Sequence, residues 1–295
     1  MSETKITYLV TNYNNANYID ECIRSILDQK NPNWKCIIVD DCSTDHSLEV
    51  INCYTRKSEK IKIIQNPINV GQIQSLINLL EIVDTEIVGV VDSDDAIHDS
   101  TTGCILNAYA TSPRIGMVYT NCIEYDENLK APISLGQAER LPFGPASSII
   151  FGYVSSLRTY RVSAYKRTSG YDLNLLYAED LDLAYKLEEV CLPYYVNKCL
   201  YKYRYVATSR SRDESRKLEL LWNHKQAKLN AIDRRLDSSI DKWLCQCVVN
   251  FEYKAKLSKF RKKSFSKNIY NTLNRVAKWI LQKRMFKIID AKNTI

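Results

Sequence analysis

Three acidic side chains within four residues are the feature of this sequence most suited to chemistry. Asp92, Asp94 and Asp95 directly follow the apolar run Ile87–Val91, with Ser93 between the first two. Carboxylates this close repel one another unless a cation lies among them, and hard oxygen ligands favour Mg²⁺ or Mn²⁺ over Zn²⁺. A divalent ion held by one or two carboxylates keeps positions open for phosphate oxygens of a substrate. The alternative is a solvated acidic turn before a helix, since Asp favours turns and helix starts.

Two more polar clusters follow apolar runs earlier in the chain. Residues 11–14 read Thr-Asn-Tyr-Asn, and residues 40–45 begin with Asp40 and Asp41. In a doubly wound sheet, the carboxyl ends of the strands meet at one edge, where ligands bind. We therefore expect the three clusters to line one site, which makes the solvated turn a much weaker alternative for residues 92–95.

Short apolar strands and amphipathic helices must position these clusters. Runs of four or five residues, rich in Ile and Val, predict strands buried on both faces, as in a parallel sheet. These runs are Ile6–Val10, Cys36–Val39, Ile61–Ile64, Ile87–Val91 and Met117–Thr120. Helical apolar stripes lie between them at residues 19–27, 48–54 and 73–80. The alternation predicts a right-handed, doubly wound α/β sheet.

The rest of the chain is first irregular and then helical. Residues 124–151 contain several Pro and Gly and predict loops over the top of the sheet. Glu179–Val190 has helical apolar spacing, and the Tyr-rich run Tyr194–Val206 predicts a strand. From residue 211 onward the apolar spacing is helical throughout. We expect a catalytic domain at residues 1–210 and a helical extension at residues 211–295.

The formal charge of +7 is the sum of two unlike regions. Phe251–Ile295 holds 13 basic and 2 acidic residues, a net of +11, which leaves the first 250 residues at −4. With 45% apolar and 25% charged residues, the chain is not disordered or collagen-like. Its apolar runs fall far short of the roughly 20 residues that cross a bilayer, and we expect no signal peptide. Ten singly scattered cysteines suggest reduced thiols in a cytoplasmic protein.

The motifs, taken in order, resemble the family two inverting glycosyltransferases of GT-A fold. They are Thr11-x-Tyr13-Asn14, Asp40-Asp41-x-Ser43-Thr44-Asp45, Asn69-Val70-Gly71, Asp92-Ser93-Asp94-Asp95 and Glu179-Asp180-x-Asp182-Leu183. Each motif alone is weak, but their order and spacing together are specific. The resemblance covers about residues 4–210. It implies a Rossmann-like, mostly parallel sheet flanked by helices, with a C-terminal helical extension.

The resemblance also implies a nucleotide-sugar site, with a UDP-sugar as the donor. The residues it implies for the donor are Thr11, Tyr13, Asp40, Asp41, Asp92, Arg204 and Arg210. Tyr13 would stack on the base, and Asp41 would hydrogen-bond the uracil ring. Asp40 would support Asp41. Asp92 would lie near the ribose and the sugar. Arg204 and Arg210 fall in a stretch that often closes over the diphosphate.

Metal and catalytic roles follow from the same resemblance. Asp94, with Asp92 and Asp95, would hold Mn²⁺ or Mg²⁺. Many relatives carry a His that can approach the metal where this chain has Val206, so no protein ligand beyond these aspartates is assigned. Asp180, beside Glu179, would take the proton from the acceptor hydroxyl, and direct displacement would invert the anomeric centre. Since the reference pKa of Asp is about 3.9, burial or the neighbouring acid should raise the pKa of this base.

The basic tail has several readings. Apolar residues at helical spacing, with Trp279 and Phe286 beside them and Lys and Arg around them, predict an amphipathic helix at residues 260–290. Because many glycosyltransferases of this kind use lipid-linked acceptors, we favour an anionic membrane surface over nucleic acid. A solvated helix face and a homo-oligomer contact through the C-terminal helices are the alternatives. The tail would hold a cytoplasmic protein at the inner face of the cell membrane.

The expected activity is therefore metal-dependent, inverting transfer of a sugar from a UDP-sugar to a hydroxyl of a glycan or glycolipid in cell-surface polysaccharide synthesis. One alternative is a sugar-phosphate nucleotidylyltransferase, which would need a glycine-rich loop with a basic residue after the first strand. Residues 11–16 contain neither, and no glycine-rich phosphate loop occurs elsewhere. The other alternative is a non-catalytic nucleotide-sugar-binding scaffold, whose function would not depend on Asp180.

Overall fold

Strands and helices alternate through the first half of the chain, as the sequence predicts. The computed structural model describes residues 5–141, 148–149, 154, 157–206, 214–236, 239–260 and 275. The first elements are β1 (Ile6–Asn12), α1 (Ile19–Leu27), β2 (Trp34–Asp40), α2 (Ser47–Thr55), β3 (Ile61–Gln65), α3 (Gln72–Ile82), β4 (Ile87–Val90), β5 (Ala96–Ile97), α4 (Thr101–Ala110) and β6 (Ile115–Tyr125).

The second half contains more helix than strand. Its elements are β7 (Pro132–Leu135), β8 (Arg158–Arg161), α5 (Val162–Tyr165), α6 (Glu179–Val190), β9 (Leu192–Arg204), a 3₁₀ turn (Glu214–Arg216), α7 (Lys217–Arg235) and α8 (Ser239–Phe260). The predicted helix at 179–190 and the predicted strand at 194–206 both form, the strand with slightly shifted ends. The loop prediction for residues 124–151 missed β7. The predicted tail helix at residues 260–290 lies almost wholly outside the described residues.

The described strands form one mixed sheet in the order β3-β2-β1-β4-β8-β6-β9-β5, with β7 beside β6. Strands β1 to β4 pair in parallel, and β6 also pairs in parallel with β9. Strand β8 lies antiparallel between β4 and β6. The predicted α/β sheet with flanking helices is confirmed. The order of the strands beyond β4 does not follow from the alternation, because β8 comes from much later in the chain.

The chain divides into two compact units that interleave along the sequence. One comprises residues 1–140, 153–170 and 190–206, and the other comprises residues 141–152, 171–189 and 207–295. The predicted domain boundary after residue 210 stays a prediction. No helix of the described residues is both long and apolar enough to cross a membrane.

The first unit contains the sheet, and its core explains why the short apolar runs become strands. Ile6, Tyr8 and Val10 are fully buried on β1, where helices cover the sheet. The hydroxyl of Tyr8 lies 2.9 Å from that of Thr102, so the one polar atom of this ring has a partner in the core. A strand buried on both faces cannot show alternation, which is why these runs are continuously apolar.

The second unit is helical and is held by a core and by ion pairs. Tyr185 of α6, Ala231 of α7 and Val248 of α8 belong to one buried apolar cluster. Within α6, Lys186 lies 2.6 Å from Asp182, and both side chains are buried. Burying charged groups is costly unless they are paired, so these contacts restrict how α6 can pack.

Candidate functional site

The three polar clusters meet at the carboxyl edge of the parallel strands, as expected. Asn12 at the end of β1 is in register with Asp40 at the end of β2, and its amide donates to the Asp40 carboxylate at 2.9 Å. The amide of Asn15, just beyond the first cluster, donates to the hydroxyl of Ser93 at 2.7 Å. Gln72, at the start of α3, donates to the Asp92 carboxylate at 3.3 Å. Residues from three loops therefore form one rim in the first unit.

Asp40 is buried and bound by the chain itself. Its Oδ1 accepts the Asn12 amide and the Ser43 hydroxyl, the latter at 2.6 Å, and its Oδ2 accepts the Ser43 backbone N–H at 3.0 Å. These contacts connect the loops after β1 and β2. Asp40 therefore stabilises the rim as a buried side chain that connects these two loops.

Asp41 holds the next loop in the same way. Its Oδ1 accepts the Asn66 amide at 2.8 Å and the Val70 N–H at 2.9 Å, and its Oδ2 accepts the Gly71 N–H at 2.8 Å. Gly71 has a φ of +86°, a conformation that favours glycine, and it precedes α3. Asp41 thus fixes the Asn-Val-Gly segment, and its predicted contact with uracil stays a prediction.

Residues 92–95, called the acidic loop below, alternate between half-exposed and buried side chains. Asp92 and Asp94 are partly exposed, whereas Ser93 and Asp95 are buried. The Asp95 N–H donates to the Asp92 carbonyl at 3.0 Å, which closes a tight turn. The Asp95 carboxylate turns inward and accepts the Arg204 N–H at 2.7 Å. Asp92 and Asp94 thus stay partly exposed, while the third predicted ligand, Asp95, supports the turn from inside.

The acidic loop is electrostatically crowded. Burial raises the pKa of Asp94. The pKa of Asp95 is raised well above its usual range by burial and then by the carboxylates of Asp94 and Asp92. Both shifts mean that the anionic forms are disfavoured in this setting, which a nearby cation would reverse. Among the described residues, no three His, Cys, Asp or Glu side chains are grouped so as to hold a metal ion by themselves.

The metal fits this donor set on chemical grounds. Asp92 and Asp94 offer hard carboxylate oxygen atoms, which suit Mg²⁺ or Mn²⁺. Their partial exposure and the raised pKa of Asp94 both agree with a cation there. Since both of these ions readily keep other ligands, two carboxylates suffice when a diphosphate completes the set.

The other predicted donor residues lie in different surroundings. Thr11 is partly buried at the end of β1, and the ring of Tyr13 beyond it is 47% exposed. Arg204 is buried at the end of β9 and contacts the acidic loop from inside, so its position does not support the predicted direct contact with a diphosphate. Arg210 lies outside the described residues.

Glu179 and Asp180, the predicted catalytic pair, begin α6 in the second unit. Asp180 is exposed, and its carboxylate accepts the N–H of Leu181 at 2.5 Å. The burial considered for Asp180 is therefore not found. Acidic residues in the first turn of a helix also interact favourably with the helix dipole, so position alone does not distinguish the two roles.

No motif in the sequence singled out His224 on α7. The ring on α7 is partly buried, and burial lowers its pKa; the charge of Asp180 and the backbone of Tyr177 act in the opposite direction. Arg216 also donates to the Tyr177 hydroxyl at 3.0 Å. No local pattern could have indicated this neighbourhood, because α6 and α7 are far apart in the chain.

Comparison with known proteins gives one family match. The model of the family described as glycosyl transferase family 2 matches residues 7–168. The poly(ribitol-phosphate) beta-glucosyltransferase of Bacillus spizizenii is 36% identical over 96 residues, which are 32% of this chain and 15% of that protein. Across the first five relatives matched, the aligned part spans only 15% to 42% of the relative's own length.

Solved structures show the same fold at low sequence identity. The 1–349 fragment of Staphylococcus aureus TarS, in complex with UDP-GlcNAc, has a TM-score of 0.64 and 17% identity, covering 99% of this chain and 92% of that one. The mannosyltransferase PcManGT of Pyrobaculum calidifontis, in complex with GDP-Man and Mn²⁺, has a TM-score of 0.57 and 15% identity, covering 97% and 87%. At such identities the likeness concerns the fold alone.

Proposed function

The chain belongs to glycosyl transferase family 2, and on that premise we propose that it moves a sugar from a UDP-sugar to a hydroxyl of a cell-surface glycan or glycolipid. The family makes it a glycosyltransferase; the donor, the acceptor and the inverting course are the proposal. The observation that carries it is the rim, where an acidic loop with crowded carboxylates meets two polar loops. The TarS complex with UDP-GlcNAc and the polymer-directed relatives support the donor and acceptor classes.

We place the donor on the rim of the first unit. Tyr13, with its half-exposed ring, would stack on the uracil beside Thr11. Asp41, with Asp40 below it, holds the loop that would border the base. Asp92 would lie near the ribose, and Arg210 would approach the diphosphate from the segment after β9.

Asp92 and Asp94 would hold Mn²⁺ or Mg²⁺, with Asp95 as their support. A divalent ion bound there would stabilise the negative charge that develops on the departing diphosphate. The chain's own contribution is to hold the turn that carries the two carboxylates, and the buried contact of Asp95 with the Arg204 N–H does this.

Asp180 would act as the general base. Its carboxylate would accept the proton of the acceptor hydroxyl while that oxygen bonds to the anomeric carbon and the diphosphate leaves from the opposite face. The product would have the inverted configuration. Glu179, its neighbour at the start of α6, would be the second residue of this catalytic pair.

A transfer screen tests this proposal. Purified protein is incubated with a panel of nucleotide sugars and Mn²⁺ or Mg²⁺, and release of nucleoside diphosphate is measured. We expect turnover with UDP-sugars, and a loss of about 10²–10⁴ in kcat for Asp180→Asn at unchanged UDP affinity. Glu219→Gln, an exposed acid on α7, is the matched control and should keep full activity.

Two outcomes of the screen would overturn the proposal. Release of pyrophosphate from a nucleoside triphosphate and a sugar phosphate would identify a nucleotidylyltransferase. Tight UDP-sugar binding without turnover, unaffected by Asp180→Asn, would identify a binding scaffold.

For the basic tail at residues 260–290, we propose peripheral binding to an anionic membrane surface on the cytoplasmic side. The net charge of +11 in Phe251–Ile295 supports it, whereas nucleic acid would have no role in the reaction. Removing residues 261–295 should release the protein from vesicles that contain anionic lipid while leaving UDP binding intact. Equal vesicle binding by the shortened chain would refute this role and leave an oligomer contact as the alternative.

A further inference from the structure

Arg204 is a deeply buried cation near the rim. It ends β9 in register with Tyr125 of β6, and its side chain is only 1% exposed. A buried guanidinium must have its donors satisfied by the protein, so its partners reveal what it does there.

Two of these partners belong to the acidic loop. The backbone N–H of Arg204 donates to the Asp95 carboxylate at 2.7 Å, and Nε donates to the Asp94 carbonyl at 2.5 Å. One residue therefore holds the two consecutive aspartates by different groups. Fixing the Asp94 carbonyl and the Asp95 side chain together restrains the backbone that carries the Asp94 carboxylate.

The other partners anchor Arg204 to two further segments of the first unit. One terminal nitrogen donates to the Glu127 carbonyl, and the other lies 2.5 Å from the Glu21 carboxylate on α1. The guanidinium also lies over the ring of Tyr18 at 4.9 Å, and the Tyr18 hydroxyl donates to the Glu127 carboxylate at 2.6 Å. Each of the three guanidinium nitrogens thus has a protein acceptor.

This geometry leaves the guanidinium poorly placed to bind a diphosphate. Reaching one would require breaking charge-assisted hydrogen bonds in several directions and exposing a side chain that is now enclosed. A planar guanidinium with partners on three sides serves well as a rigid connector, and lysine cannot reproduce that arrangement.

We propose that Arg204 is a positioning residue that keeps the acidic loop in the shape that accepts a divalent cation. The inference rests on the proposed function, since the cation is part of it. Arg204 acts through Asp94 and Asp95 and does not contact the donor.

Binding measurements test this role without relying on activity. Arg204→Lys and Arg204→Met are compared with the unaltered protein in two titrations: UDP in the presence of EDTA, and Mn²⁺ in the presence of saturating UDP. We expect the Mn²⁺ Kd to rise tenfold or more, while the UDP Kd in EDTA stays within twofold. Weakened UDP binding in EDTA at unchanged Mn²⁺ affinity would mean direct contact with the diphosphate and would overturn the proposal.

Arg161 offers a matched control within the same unit. It pairs with Glu86, donates to the Ile115 carbonyl at 2.8 Å and lies over the Tyr109 ring at 5.0 Å. Arg161 pairs with Ile87 at the start of β4, whereas the acidic loop follows the other end of that strand. Arg161→Lys should lower thermal stability as much as Arg204→Lys does but leave the Mn²⁺ Kd unchanged. An equal loss of Mn²⁺ affinity in both would reduce Arg204 to a general structural role.

Glu21→Gln keeps the test decisive if the Arg204 variants do not fold. It removes one charged partner of Arg204 at a half-exposed position on α1, outside the acidic loop. We expect a two- to fivefold rise in the Mn²⁺ Kd, and no rise would overturn the proposal. If UDP binding by the unaltered protein does not respond to Mn²⁺, the metal-dependent function itself fails, and the Arg204 proposal with it.

Discussion

The two acidic clusters after β2 and β4 look alike in sequence and differ in what their carboxylates contact. Asp40 and Asp41 each accept three hydrogen bonds from the chain, all between 2.6 and 3.0 Å. In the acidic loop, Asp94 and Asp95 have raised pKa values because of burial, and neighbouring carboxylates contribute to the shift of Asp95. The first pair therefore builds the rim, and the second provides charge that a cation can use.

The difference shows how to separate structural from ligand-binding carboxylates. A buried carboxylate with several N–H and O–H donors is already stabilised as part of the fold. Carboxylates that crowd one another gain by binding a cation. Substitutions in the two clusters should therefore have opposite consequences: lost stability in one, and lost binding in the other.

The largest effect is expected for Asp94→Asn. It removes a charge that the rim needs for a cation, so Mn²⁺-dependent UDP binding should weaken at least about 100-fold, on the order of 3 kcal/mol. The unfolding temperature should stay the same or rise, because burial disfavours the carboxylate that is removed. Calorimetric UDP titration with and without Mn²⁺ measures the first effect and thermal unfolding the second. If the unaltered protein and the variant both bind UDP equally well with and without Mn²⁺, this loop does not bind the metal.

Asp41→Asn should behave in the opposite way. An amide places N–H groups against the donors of Asn66, Val70 and Gly71, so the free energy of unfolding should fall by about 2 kcal/mol. Denaturation by urea measures this change. Asp45→Asn, on an exposed loop position nearby, should cost less. An unchanged unfolding free energy with weakened uridine binding would place Asp41 in direct contact with the base and break the comparison.

The smallest effect concerns a buried acid with a raised pKa in the second unit. Burial raises the pKa of Glu188 to about 7, although Arg235 lies 3.3 Å away and partly offsets the shift. Because the folded-state pKa is raised, protonation of Glu188 stabilises the folded protein. This stabilisation is fully present below the ordinary pKa of 4.5 and is lost as the pH rises through about 7. Glu188→Gln should therefore flatten the decline of stability between these two pH values.

Thermal unfolding across that pH range measures the effect of Glu188→Gln. An unchanged pH profile would mean that Glu188 is ionised throughout and held by Arg235. The result sharpens the comparison, because it separates two causes of a raised carboxyl pKa: burial alone at Glu188, and burial together with neighbouring carboxylates at Asp95.

Much of the fold follows from local patterns. The apolar runs predicted β1 to β4 and the central part of β6, because a strand buried on both faces is continuously apolar. The stripes at 19–27 and 73–80 became α1 and α3 nearly as expected. The meeting of three polar loops followed from parallel pairing alone, since parallel strands end at one edge.

The sequence by itself determined the strand–helix alternation, the motifs and the edge at which they gather. Tertiary structure alone decided that β8 enters between β4 and β6, that Asp41 is engaged by Asn66 and Gly71, and that Arg204 lies beneath the acidic loop. The reason is physical: periodicity and turn chemistry act between neighbours in the chain. Hydrogen-bond partners of a buried charge come from any segment that packs beside it, as Glu21 and Asp94 do around Arg204.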